Sequence, residues 1–159
     1  MTLHPDFSAF LSTLAEAEVE YLLVGGYAVG HYGYVRATAD IDVWVRPTQE
    51  NAARVVDALV RFGFGVPGLR EDAFLDPAVV TRMGIPPFRI EILSSISGVA
   101  FEDCWPGRVE DEWDGVPVTV IGLDCLKANK RATGRPKDAV DVSELEAVEG
   151  TDSASGRSG

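Results

Sequence analysis

Asp40 and Asp42 lie two residues apart in the run Asp40-Ile41-Asp42-Val43-Trp44-Val45. Polar and apolar residues alternate there, which predicts a β-strand with both carboxylates on one face and Ile41, Val43 and Val45 on the other. Carboxylates about 6–7 Å apart along a strand repel each other unless a cation or a proton lies between them. Hard oxygen donors with no histidine or thiolate beside them suit Mg²⁺ or Mn²⁺ better than zinc. A bare Asp-x-Asp reads more readily as two unrelated acids on a solvent-facing strand. A third acid, Glu91, falls in a second alternating run, Phe88-Arg89-Ile90-Glu91-Ile92-Leu93. An acid among so many apolar residues meets a cation or costs stability. The alternative is a plain surface face shared by Arg89 and Glu91. On a neighbouring strand, Glu91 would complete a two-metal site.

Gly25-Gly26 follows the apolar run Tyr21-Leu22-Leu23-Val24 and precedes a helical pattern. Glycines at such a junction let backbone N–H groups approach a phosphate at the helix start, although a tight strand-to-helix turn needs them anyway. No Gly-Lys-Ser/Thr and no Gly-x-Gly-x-x-Gly occurs, which excludes those two nucleotide-binding patterns. Five of the fourteen basic residues, Lys127, Lys130, Arg131, Arg135 and Lys137, crowd into eleven positions of a chain whose net charge is −11. The total opposes bulk DNA binding and acidic membranes, while the local patch suits a small polyanion or a solvated helix face.

The elements that must hold these residues can be read from spacing and breakers. The chain has 159 residues, 46% of them hydrophobic, which is enough for one self-sufficient core. We expect a helix over 6–18 capped by Asp6, a strand over 21–24, a weak helix over 27–34 and a strand over 40–45. Thr48 caps a strong amphipathic helix ending at Phe62 before Gly63. The segment 64–87 gives no clear period, 88–93 is a strand, and 102–114 with its six acids is a surface loop or short edge strands. A strand over 116–121 is placed at a sheet edge by Pro117. Helices over 124–131 and 136–148 close a single domain, residues 1–149. The Ser/Gly-rich 150–159 reads as a disordered tail. The fold class is α/β (α+β): a small mixed sheet with helices mainly on one face and a short C-terminal helical pair. Cys104 and Cys125 read as ordinary buried thiols, His31 as exposed, Trp44 as packed beneath the carboxylates, and Tyr27, Tyr32 and Tyr34 as core rather than base-stacking groups. With neither a signal segment nor a membrane span in sight, the expected compartment is the cytoplasm.

Together these residues resemble the nucleotidyltransferase superfamily related to DNA polymerase β. Gly25-Gly26, then Asp40-Ile41-Asp42 after thirteen residues, then a later acidic strand follow that pattern. Nearer still are the AbiEii-like and minimal nucleotidyltransferases associated with bacterial toxin–antitoxin systems. The similarity lies in Gly25-Gly26-Tyr27-Ala28-Val29, Arg36-x-Thr38-x-Asp40-Ile41-Asp42 and the stretch Lys130 to Asp138, within roughly residues 20–145. The resemblance implies the fold of that superfamily and a transfer of NMP from NTP to a hydroxyl acceptor on an RNA end, a protein or a small molecule. It implies two Mg²⁺ or Mn²⁺ ions held by Asp40, Asp42 and Glu91, with Glu91 also helping to deprotonate the acceptor. It further implies nucleotide binding by Gly25, Gly26, Arg36, Thr38, Lys130 and, second to it, Lys127, and a cognate toxin or antitoxin as partner. Arg36 serves equally as a salt bridge holding its loop. Asp138 and Asp141 read as partners of Arg131 or Arg135 that fix the last two helices. The third carboxylate of the superfamily is usually aspartate, and Glu91 departs from it by one methylene. The alternatives are an antibiotic adenylyltransferase, similar to the lincosamide and aminoglycoside enzymes, and a non-catalytic nucleotide-binding or antitoxin-like module.

Overall fold

The structure is a computed structural model that describes residues 3–35, 38–65, 67–84 and 88–157, with side chains as far as residue 150. Apolar residues Phe7, Phe10, Leu11 and Leu14 line the buried side of α1 (Pro5–Glu16). Its cap is His4 rather than Asp6, because Pro5 takes the first helical position and the His4 ring nitrogen accepts from the Asp6 N–H. The strand β1 (Tyr21–Val24) is buried along its whole length and runs straight into α2 (Gly25–His31). Next come β2 (Asp40–Val45) and α3 (Gln49–Phe62), the latter with Thr48 as cap and Gly63 in the left-handed conformation at its end.

The segment without a readable period supplies a 3₁₀ turn at Glu71–Phe74 and a strand, β3 (Val80–Met83). Then follow β4 (Arg89–Leu93), the short α4 (Phe101–Cys104), β5 (Val109–Trp113) and β6 (Val116–Val120). The last two helices are α5 (Leu123–Thr133), ended by Gly134 with positive φ, and α6 (Pro136–Arg157). The α6 backbone continues to Arg157, into the segment read from the sequence as a tail.

The six strands form one mixed sheet in the order β3-β4-β2-β1-β6-β5. Central β2 runs antiparallel to β1 and parallel to β4. Expected at an edge, β6 is internal, between β1 and β5. Its Pro117 is tolerated because the pairing with β1 is confined to Leu23 opposite Val120, so no ladder bond from β1 is lost there. The outer strand is β5, whose exposed Glu110, Asp111 and Glu112 discourage edge-to-edge pairing. Within the core, Asn51 joins elements by accepting from the Glu20 N–H and donating to the Glu20 and Arg46 carbonyls.

Two readings of the sequence need correction here. Cys104 and Cys125 are joined in a disulfide between α4 and α5, with their Cα atoms 5.9 Å apart. Twenty-one residues of separation hid a pairing that only the packing of those two helices creates. Such bonds persist mainly outside the reducing cytosol, so the expected cytoplasmic placement draws no support from this pair. His31 is not simply exposed: its Nδ1 lies 3.1 Å from Asp111 Oδ2, and its ring leans on Trp113. The three tyrosines pack against the core as expected, and Tyr32 donates to the Ile121 carbonyl. Among the described residues no helix is long and apolar enough to cross a membrane.

Candidate active site

Alternation places Ile41 and Val43 in the core and leaves Asp40 and Asp42 half-buried on the other face of β2. Trp44 continues the carboxylate face one step further along and is buried edge-on against Phe101 of α4. On β4 the same logic buries Ile90 and Ile92 and turns Glu91 to the carboxylate side. The parallel register then sets Asp42 directly opposite Glu91, and Asp40 opposite Arg89. These carboxylates face a cleft of about 560 Å³. Its lining includes Gly25, Gly26 and Thr38 together with Asn129, Lys130, Thr133, Arg135, Lys137 and Asp138.

The crowding has an electrostatic signature. Burial, then the hydrogen bond and negative charge of Glu91, then the charge of Asp40, push the Asp42 carboxyl from 3.8 up to about 7, against an opposing pull from Lys130. A divalent cation would relieve that repulsion, and the all-oxygen donor set of Asp40, Asp42 and Glu91 suits Mg²⁺ or Mn²⁺ in kind. In the arrangement at hand, Glu91 Oε1 accepts from Arg82 Nε at 3.0 Å. Among the described residues no three His, Cys, Asp or Glu side chains stand gathered around a common point.

The glycine pair has a steric role visible only in three dimensions. Gly25 adopts φ +71°, and a Cβ there would overlap the Asp42 carboxylate. At Gly26 a Cβ would come 2.8 Å from the Thr38 hydroxyl, which itself donates to the Asp40 carbonyl. The α2 backbone thus lies directly against the carboxylate strand because neither residue carries a side chain. Gly25→Ala is expected to destabilise the fold by about 1–3 kcal/mol through strain alone. It should also displace Asp42, which a melt at neutral pH and a carboxylate-resolved NMR titration would detect together. A variant that matches the wild type in both would refute the packing account.

The basic helix is where sequence and structure diverge most. Lys127 and Lys130 do share a face of α5, and α6 covers it. Lys127 is ion-paired to Glu149 and is not among the residues that line the cleft. Lys130 does line the cleft, but its ammonium is held by Asp138 Oδ1 at 3.0 Å and Asp141 Oδ2 at 3.2 Å. Asp138 also accepts from the Thr133 hydroxyl and from Arg135 Nε. Arg131 pairs with Glu146, and Arg135 pairs with Asp138 as expected. Arg36 lies outside the described residues. The cleft gains residues that sequence reasoning missed, chiefly Arg82, Ser95, Ser97 and Asn129. Asn129 donates to the Ser97 carbonyl, and a Cβ on Gly98 would strike Ala132, so α5 is seated on the 95–98 turn. No motif marks these residues. The unread segment 64–87 reaches the cleft through Arg82, whereas β5, within 102–114, lies at an edge of the sheet as one reading of that segment expected.

No protein-family model matches this sequence, and no curated protein matches it. Solved structures do. A protein from Thermotoga maritima provisionally described as a nucleotidyltransferase is 14% identical, with a TM-score of 0.55 over 98% of this chain and 96% of that one. An antigenic nucleotidyltransferase-like protein from Paracoccidioides brasiliensis is also 14% identical, with a TM-score of 0.52 over 89% of this chain and 72% of that one. At such identities the likeness is one of fold. The chain shares the mixed α/β fold of these two structures.

Proposed function

We propose that this protein is a metal-dependent nucleotidyltransferase. Carrying the reading is one observation: the register of β2 against β4, which brings Glu91 beside Asp42 at the floor of a cleft. In the reaction, an acceptor hydroxyl oxygen attacks the α-phosphorus of an NTP, the bond to the bridging oxygen breaks, and pyrophosphate leaves. Asp40, Asp42 and Glu91 would hold Mg²⁺ or Mn²⁺, which supplies neutralisation of charge at the reacting phosphate. Glu91 also serves as the carboxylate that receives the acceptor proton. Gly25 and Gly26, where the backbone is unobstructed by side chains, form the wall against which the phosphates lie. Arg135 and Lys137 are exposed cations in the cleft lining and take the triphosphate role expected of Lys127. Lys130 contributes through its field at Asp42 and by tying α5 to α6. The motif sets at 25–29, 36–42 and 130–138 support the toxin–antitoxin-associated branch, with a cognate toxin or antitoxin as partner.

The test is pyrophosphate release from each NTP with Mg²⁺ and with Mn²⁺, using cell extract as a source of acceptor. We expect release by the wild type and only background from Asp40→Asn/Asp42→Asn. Equal release by both proteins would overturn the assignment. A second reading, a module that binds NTP without transferring it, is favoured by the Arg82 guanidinium on Glu91. It predicts calorimetric NTP binding with no pyrophosphate from any acceptor.

A further inference from the structure

We propose that Arg82 is the resident counter-ion of the third carboxylate, competing for Glu91 with a divalent ion at the cation centre until that ion displaces it. The inference rests on the metal-dependent reading above and concerns how that centre assembles.

The geometry is a consequence of two registers meeting at one residue. The antiparallel pairing of β3 with β4 sets Arg82 opposite Glu91, while the parallel pairing of β4 with β2 sets Asp42 opposite Glu91 from the other side. Glu91 therefore stands in a row between a cation and an acid, within reach of both. It engages both, sharing a hydrogen bond with Asp42 while Arg82 Nε lies 3.0 Å from Oε1. The two partners differ in freedom. The Arg82 side chain is 59% exposed and Glu91 only 20%, so the arginine is the one able to swing away. An ion pair with a solvent-exposed arginine is weak. A divalent cation shared among Asp40, Asp42 and Glu91 competes with it on both charge and number of ligands. The longer side chain of Glu91 suits this exchange, since its carboxylate can reach toward either neighbouring strand. Once released, the guanidinium remains in the wall of the same cleft as a bidentate donor for an anion.

A purely structural role, fastening edge strand β3 to β4, predicts something different, and Mn²⁺ titration of the full chain separates the two. Free Mn²⁺ would be followed by electron paramagnetic resonance, without nucleotide. Removing the competitor in Arg82→Gln is expected to tighten Mn²⁺ binding by about fivefold or more, a coupling typical of contacting groups. Arg82→Lys, which keeps the charge, should stay closer to the wild type. In Glu91→Gln the same Arg82→Gln change should bring little gain, because there is no carboxylate left to release. Lys137→Gln, which removes a cleft cation that does not touch Glu91, should also gain little. Unchanged Mn²⁺ affinity in Arg82→Gln beside a lowered melting temperature would overturn the proposal in favour of strand fastening. An equal gain in the Glu91→Gln background would overturn it in favour of a general field effect. If neither the wild type nor Arg82→Gln binds Mn²⁺, the metal-dependent reading fails and takes this one with it. Should the wild type bind while Asp40→Asn/Asp42→Asn does not, that reading stands and Arg82→Gln alone decides the proposal.

Discussion

Lys130→Met is expected to lower stability by about 3–5 kcal/mol, a fall in melting temperature of about 10 °C or more. The lysine side chain is 6% exposed and those of Asp138 and Asp141 are 2% each, so the three charges are shielded from water together. Removing the shared cation leaves two buried carboxylates beside each other, and such a loss costs far more than the pair contributed. Burial pushes the Asp138 carboxyl up, but the Thr133 hydroxyl, Lys130 and Arg135 outweigh it and hold it below 3.8. The network is therefore intact at neutral pH and weakens only in acid, as pH falls through that lowered value. Arg131→Ala, which breaks an exposed bridge to Glu146, is the control and should cost less than about 1 kcal/mol. Urea melts of both variants at pH 7 provide the comparison. Equal, small losses would mean that the α5–α6 junction does not depend on this charge network.

Asp42→Asn is expected to have the opposite sign. In the folded protein Asp42 titrates at about 7, against an ordinary 3.8 in the unfolded chain. Between those values the folded state keeps a proton that the unfolded state has lost, so Asp42 erodes stability as pH rises from about 4 to about 7. Above that range the deficit is complete. Asparagine does not titrate, and in chelator the variant should exceed the wild type at pH 8 by about 4 kcal/mol, the free energy of a shift of roughly three pH units. The two should converge near pH 4. The same variant should release no pyrophosphate. Gained stability with lost function marks a site whose charges are arranged for a ligand rather than for the fold. An Asp42→Asn protein no more stable than the wild type at pH 8 would show that Asp42 is not under this repulsion.

Legibility followed the range of the forces involved. Strand β2 and helix α3 were readable to the residue, because alternation, the Thr48 cap and the Gly63 stop act over a few neighbours. Strand β3 was not, since the four residues Val80–Met83 carry no period of their own and pair only because β4 is beside them. Pro117 pointed to an edge position by a sound rule, but the short contact between β1 and β6 let it sit inside the sheet. The cysteines and Arg82 were invisible for a related reason: their partners are 21 and 9 residues away along paths that no local pattern encodes.

By itself the sequence determined that Asp40 and Asp42 share a strand face, that Glu91 lies on the polar side of another strand, and that a glycine pair closes β1. Those are properties of a two-residue repeat and of backbone freedom, fixed before any element meets another. Only the tertiary structure decided that Glu91 stands beside Asp42 with Arg82 behind it, that Gly25 makes room for a carboxylate, and that Lys127 faces α6 while Lys130 borders the cleft. Strand register and helix docking are set by which buried surfaces fit across the sheet, and a shift of one residue in β4 would have turned Glu91 to the opposite face.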